Sequence, residues 1–370
     1  MEIRLIADGE EHLCNDFRNR IYGENHTLRQ WHWEFAENTY DKKPIPYAVI
    51  EDGGNIVGTQ AFIPIRMIDR DGVYWTAKSE ATLLAPEYRG KHLFEKMYDL
   101  LFRYAEERRF ACIWGFTAAV KALAPLGFIF PSKTEQIFTP FSTRAVVSMM
   151  GKDGHGAKEN STAKIKIGLA RAAAGIAQTV SAVKMTHSRK NTLDGLKIQT
   201  MPRADEQAGD LCRRFIDHYG GTTVYRDAQY LQWRLFDNPY ARSIVKGAYR
   251  DGELQGWAAY TIADDGMGYL VDLMAVGDDN HGIGDIVRTL LIEAVIGTRN
   301  MGASGIRGWR VNDHPFDKLV GKVAKTIGFY HIKRGFSFVL YNCPESKARP
   351  AHIDGQDWYI SRIFTEGVLG

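Results

Sequence analysis

The 370-residue chain has only four cysteines, Cys14, Cys112, Cys212 and Cys343, and no Cys-x-x-Cys spacing among them. That scarcity excludes a disulfide scaffold and a thiolate zinc site, and it fits a reducing compartment. No grouping of His, Cys and carboxylates suggests another metal centre. Long apolar runs are missing as well. No stretch approaches the ~18–20 residues of a membrane-spanning helix. The opening Met1–His12 segment has no basic stretch leading into an apolar run, so no secretory leader is expected. Nor does one sign of charge dominate. Lys and Arg number 47 against 44 Asp and Glu, a formal +3, which by itself suggests no nucleic-acid partner. The expected location is the cytoplasm.

What the chain does have is length for two domains, each able to bury a core, and a repeat. Trp33-Glu34-Phe35-Ala36-Glu37-Asn38-Thr39-Tyr40 returns as Trp233-Arg234-Leu235-Phe236-Asp237-Asn238-Pro239-Tyr240. The offset is 233 − 33 = 200 for the Trp pair, 256 − 58 = 198 for Gly58 and Gly256, and 328 − 127 = 201 for the two Gly-Phe pairs. A single repeat at this period reads as a duplicated domain and not as a solenoid. Each copy shows the same order. Two strand-like runs flank a hairpin signal (Asp52–Asn55; Asp251-Gly252). A further strand follows (Trp75–Leu84; Gly268–Val276). Next comes a helix with an apolar stripe (Leu93, Met97, Leu101; Ile286, Leu290, Leu291). Each copy closes with a strand and a short helix ending at Gly-Phe. The fold class is α+β: two units, each a mixed, splayed sheet flanked by helices. The expected domains are 1–150 and 193–370, joined by a connector at 151–192. Five Lys and two Arg against one Glu between Lys158 and Lys190 give the connector 7 − 1 = +6. Its apolar stripe and basic residues suit either a brace between the halves or a helix lying on an anionic membrane surface.

Chemistry enters at Ala85-Pro86-Glu87-Tyr88-Arg89-Gly90-Lys91-His92, where a strand ends and an amphipathic helix begins. The first amides of a helix lack internal partners and carry partial positive charge, so such a turn can hold a pyrophosphate. This turn, with the strand before it and the Gly127-Phe128 closure after it, resembles the acetyl-CoA-binding core of the GNAT acyltransferase superfamily. The likeness covers Ala48–Phe128 and, more loosely, Gly247–Phe329. It implies pantetheine in the gap of a splayed sheet, with Leu83, Leu84, Arg89, Gly90, Lys91, His92, Leu93, Phe94 and Thr117 contacting acetyl-CoA. His92 and Phe94 depart from the family's small residues. The second copy keeps Gly282 and Gly284 but has Asp279 where a cation is expected, so the first copy is the expected CoA site. The tyrosine that protonates the leaving thiol in many family members is replaced by Leu123 and Ala324.

Acylation of an amine needs a base. Glu80 leads the candidates, placed by strand parity on one face with Thr82 and Leu84; Asp272 and His314 follow. Trp33, Glu34 and Asp313 are the expected acceptor contacts, because aromatic faces and carboxylates suit an amino sugar. Trp33, being repeated, also fits a helix anchor. The expected function is acetyl-CoA-dependent N-acetylation of a small or sugar-linked amine, without a metal. Tyr230–Tyr240 and Asp354–Ile360 resemble tandem acetyltransferases of surface-polysaccharide synthesis. The alternatives are an aminoacyl or peptidyl transferase of the tandem cell-wall type, and a non-catalytic acyl-CoA-binding pair.

Overall fold

The computed structural model describes residues 1–40, 42–143, 145, 195–277, 282–311, 314–333, 335–344 and 357–365. The connector at 151–192, with its brace-or-membrane alternative, lies outside the described residues, as do Asp279 and Asp313. No helix among the described residues is long and apolar enough to cross a membrane.

The chain begins with β1 (Glu2–Leu5), α1 (Glu11–Tyr22) and α2 (Leu28–Trp31), which runs into a π-helical turn at His32–Ala36. A meander follows: β2 (Tyr47–Asp52), β3 (Asn55–Asp69) and β4 (Gly72–Leu84). Its first hairpin is tight because Gly53 and Gly54 both take positive φ, 56° and 80°, the turn that matches right-handed strand twist. Then come α3 (Leu93–Glu107), β5 (Cys112–Thr117), α4 (Val120–Leu123), β6 (Ile129–Lys133) and β7 (Glu135–Pro140).

The second pass repeats the order. It opens with β8 (Lys197–Met201), α5 (Ala208–Tyr219), β9 (Thr223–Val224) and α6 (Ala228–Leu231), with a second π-helical turn at Gln232–Phe236. The meander is β10 (Ile244–Arg250), β11 (Glu253–Ile262) and β12 (Gly268–Ala275). It continues through α7 (Ile283–Asn300), β13 (Gly305–Arg310), α8 (Pro315–Thr326), β14 (Tyr330–Ile332) and β15 (Ser337–Asn342).

These strands form two mixed sheets, β1-β2-β3-β4-β5-β15-β6 with β9 on β3, and β14-β7-β13-β12-β11-β10-β8. The compact units are not the contiguous halves expected at 1–150 and 193–370. One contains Met1–Lys133, Gly220–Tyr240 and Phe336–Trp358; the other contains Thr134–Tyr219, Ala241–Gly335 and Tyr359–Gly370. The physical reason is a strand exchange. β15, from late in the chain, pairs with β5 and β6, while β7, from the first pass, pairs with both β13 and β14. Periodicity reveals a strand but not its partner, so the crossing was invisible in the sequence.

In unit 1, α1 and α3 pack on β3, which is buried along nearly all its length. The imported β15 is fixed to α3 by Tyr341 stacked on Phe102, with ring centroids 4.1 Å apart. In unit 2, Ile286, Val287, Leu290, Leu291, Ala294 and Val295 of α7 are buried as their spacing requires.

A chain ended after residue 143 would leave the β5 edge of unit 1 unpaired, an invitation to aggregation. Such a fragment should show no cooperative melting by circular dichroism and should sediment as large species. A monomeric fragment with a sharp transition would mean that β15 is dispensable.

Candidate active site

β4 and β5 run parallel but pair only at Ala77–Ile113 and Lys78–Trp114. At the next step Gly115 passes so close to β4 that a Cβ there would stand 3.1 Å from the Ser79 carbonyl oxygen. Beyond it the strands part, and a cleft of about 440 Å³ opens, lined by Glu80, Leu83, Phe94, Tyr98 and Thr117 among others. β4 carries one residue more than β3 between the Ala61–Glu80 and Thr59–Leu83 pairs, with Ala81 at φ 55°. This is a β-bulge. Gln60 straddles it: Nε2 donates to Ser79 Oγ and to the Glu80 carbonyl, both at 3.1 Å, and Oε1 accepts from the Thr82 hydroxyl. The bulge corrects the expected strand parity. Glu80 shares its face with Leu83, Leu84 pairs with Gly58 and turns the other way, and Thr82 is engaged with Gln60.

Glu80 is partly exposed, and its Oε2 lies 2.5 Å from Nζ of the buried Lys78. Burial pulls the Lys78 ammonium below its usual range, opposed by Glu80. Tyr98, from α3, places its hydroxyl 2.7 Å from Ser79 Oγ. Burial pushes this phenol up to about 12, so it holds its proton at neutral pH. Arg18, Tyr22 and Glu24 also line the cleft.

At the end of β4, Pro86–Tyr88 form a single 3₁₀ turn. Gly90 then takes φ 75° with nothing within 4 Å of a would-be Cβ, and His92 takes φ 54° at the start of α3. The glycine that the family pattern places at 92 is explained by this left-handed backbone, which a histidine adopts at about 1 kcal/mol. The amides that open α3 are not capped by the His92 side chain. Tyr88 donates to Asp52 Oδ2 at 2.7 Å, and Lys91 Nζ lies 4.8 Å from the Tyr88 ring centroid. Arg89, Gly90, Lys91 and His92 are exposed, whereas Leu93 is buried in the core. The turn and cleft fit an acyl-CoA: open backbone and two cations for phosphate, and a gap between strands for the pantetheine arm.

Residues 2–129 match the family model of an acetyltransferase (GNAT) domain. This segment is a GNAT domain. No curated protein matches the chain. Among solved structures, a probable N-acyltransferase from Enterococcus faecalis V583 aligns at TM-score 0.62 and 10% identity, over 92% of this chain and 72% of that one. A GCN5-related N-acetyltransferase from Anabaena variabilis ATCC 29413 aligns at 0.60 and 10%, with the same coverages of 92% and 72%. The N-myristoyltransferase of Saccharomyces cerevisiae, solved with bound myristoyl-CoA, aligns at 0.57 and 12%, over 92% of this chain and 82% of that one. At such identity the likeness shows the fold, which is GNAT-like through both passes of the chain.

In the GNAT domain, Glu80, Leu83, Phe94 and Thr117 meet in one cleft, while other expected site residues serve elsewhere. Trp33 is fully buried, and its Nε1 donates to the Trp233 carbonyl at 2.9 Å, a bond that Trp233 Nε1 returns to Trp33 at 2.9 Å. The repeated tryptophans are anchors. Glu34 is buried, accepts from Tyr240, and lies 3.6 Å from His26 Nε2 and 3.5 Å from Arg18 Nη1. Neither residue lines the β4/β5 cleft. Asp272 is fully buried and accepts from Trp257 Nε1 at 2.9 Å and Ser361 Oγ at 2.6 Å. His314, another of the expected bases, does not line the β4/β5 cleft. It is buried, stacks on Phe215, and caps α8 by accepting from the Phe316 amide at 3.2 Å.

Composition and spacing do not single out Ser79, Gln60, Lys78 or Tyr98 as residues at the cleft. Lys78 and Glu80, two apart on a strand, were a legible same-face pair. Tyr98 was hidden in the apolar stripe of α3.

Burial alone would raise the Glu34 carboxyl, but His26, Arg18 and Tyr240 together hold it below the usual range. A depressed carboxyl stabilises the fold fully above its unfolded pKa of about 4.3 and loses that contribution as pH falls through the folded value. Glu34→Gln should therefore destabilise by about 3 kcal/mol at pH 7, as breaking a buried ion pair does. Urea titrations should show the gap shrinking below about pH 4. A gap independent of pH would mean that shape, not charge, is what Glu34 supplies.

Proposed function

We propose that this protein is an acetyl-CoA-dependent N-acyltransferase working in the β4/β5 cleft of its first GNAT unit. The observation that carries the reading is the coincidence of a splayed parallel pair, a carboxylate at its edge and an open helix-start turn at its end. Acetyl-CoA, when bound, supplies the thioester carbonyl. Arg89, Lys91 and the first amides of α3 would hold its phosphates. Glu80, beside Lys78 at the edge of the cleft, would take the proton from the acceptor amine. Tyr98, protonated and positioned by Ser79, would hold the proton for the departing sulfur, the role that Leu123 cannot fill. Glu24 and Glu80 at the cleft suit an acceptor that arrives as an ammonium. The amino-sugar reading leaned on Trp33 and Glu34, which are buried, so the acceptor is proposed as an amine without further restriction.

Two experiments test this. Calorimetry with acetyl-CoA should show binding retained in Gly90→Ala and in Gly282→Glu but abolished in Gly90→Glu. The alanine variant shares the backbone strain without the repulsive charge. Loss of binding in Gly282→Glu instead would move the cofactor to the other unit.

In a thiol-release assay over a panel of amines, Glu80→Gln should lower kcat by about 10²–10⁴ with acetyl-CoA binding unchanged. Tyr98→Phe should lower it less. A Glu80→Gln rate near wild type removes Glu80 from the chemistry.

A further inference from the structure

Helix α8 of unit 2 carries a glycine in its interior, Gly321, a choice that weakens a helix relative to alanine. The reason lies beneath it. A Cβ at Gly321 would stand 2.0 Å from Nη1 of Arg310, so the helix leaves out a side chain to house a guanidinium. Arg310 ends β13 and is only 8% exposed. Its Nη2 donates to the Asp317 carbonyl at 3.1 Å, while its Nε makes no hydrogen bond among the described residues. Among the described residues no carboxylate stands within ion-pair distance of it, and the Asp317 carboxylate accepts instead from the Val311 amide at 3.2 Å. A guanidinium buried with so little compensation leaves room for an anionic partner.

The same arginine lines a cavity of about 380 Å³ whose walls include Ile137, Ala324 and Phe329, with Lys325 and His331 adding polar groups. His331 is paired with Glu135. None of these residues belongs to the β4/β5 cleft. We propose that this cavity is a second ligand site, for a small carboxylate on an apolar body, with Arg310 as counter-ion and Ile137, Ala324 and Phe329 against the body. The fork of a guanidinium matches a carboxylate with parallel hydrogen bonds. The apolar walls offer little to the further oxygens of a phosphate.

The test titrates octanoate into the full-length protein by calorimetry, with acetate and inorganic phosphate as comparisons. Octanoate should bind wild type more tightly than acetate or phosphate. Arg310→Met, which keeps the stem and removes the charge, should weaken octanoate about tenfold to a hundredfold, the worth of charge-assisted hydrogen bonds. Lys325→Glu, on the helix surface of α8, brings a carboxylate to the cavity and should weaken octanoate too, which keeps the test open should Arg310→Met fail to fold. Acetyl-CoA binding, measured alongside, should be unchanged in both variants, so that failure here and failure of the cleft reading are told apart. No octanoate binding to wild type, equal binding to Arg310→Met, or phosphate bound in preference to octanoate would each overturn the proposal.

Discussion

Two parallel strands can part inside a folded unit only if each keeps a partner on its other side, because unpaired buried amides and carbonyls are not tolerated. β4 meets this condition through β3, which pairs with it from Gly58 to Asp69. β5 meets it through β15, which covers all six residues from Cys112 to Thr117. The second of these supports comes from the far end of the chain. The cleft in the first unit is thus a consequence of the strand exchange as much as of the local sequence. The bulge at Ala81 then turns the loosened end of β4, and Gln60 takes up the polar groups that the extra residue displaces. Leu83 owes its place on the face of Glu80 to that one additional residue.

Duplication also explains how charge is managed in the interior of unit 1. Positions 34 and 234 are equivalent in the repeat, yet one holds Glu and the other Arg, and both are 3% exposed. The Arg234 guanidinium lies 4.9 Å and 5.0 Å from the ring centroids of Trp33 and Trp233, the pair joined by reciprocal hydrogen bonds. Burial lowers Arg234 from its usual range, and the charge of Glu34 acts against that. Two like charges at these positions would each face desolvation without a counter-charge. Divergence to opposite signs lets one copy compensate the other, and the aromatic faces add cation–π attraction.

Much of this was legible from spacing alone. The hairpin at Asp52–Asn55, the stripe of α3 and the duplicated order follow from local chemistry, and the structure agrees with them. What could not be read is what depends on a partner. A bulge is a statement about two strands, so strand parity groups Glu80 with Thr82 and Leu84, whereas the pairing puts it on one face with Leu83. The aromatic cluster at Trp31–Glu34 has the composition of a sugar platform and the burial of a core, and composition does not separate the two. Asp272 and His314 look like catalytic groups by type; their hydrogen bonds to Trp257, Ser361 and the Phe316 amide come from residues distant or backbone-borne, which a motif does not display.

The same logic bears on why the copies differ. In the second sheet β12 and β13 pair at Gly268–Ile306, Tyr269–Arg307 and Leu270–Gly308 and no further, so this pair also parts. The separated stretch of β12 is taken up by protein. Ser361 bonds Asp272, Tyr359 donates its hydroxyl to the Leu273 carbonyl, and the Arg362 guanidinium sits 4.7 Å and 5.0 Å from the Tyr269 and Trp309 ring centroids. Segment 359–364 thus supplies the polar partners that diverging strands otherwise offer to a ligand. In the first unit the carboxylate at the opening, Glu80, is partly exposed beside a lysine; in the second, the carboxylate on the diverging strand is sealed by a serine and a tryptophan. A polar group left at the mouth of a cleft can serve chemistry, and one satisfied from within serves stability. Glu80 stays at the mouth of its cleft, and Asp272 is satisfied from within.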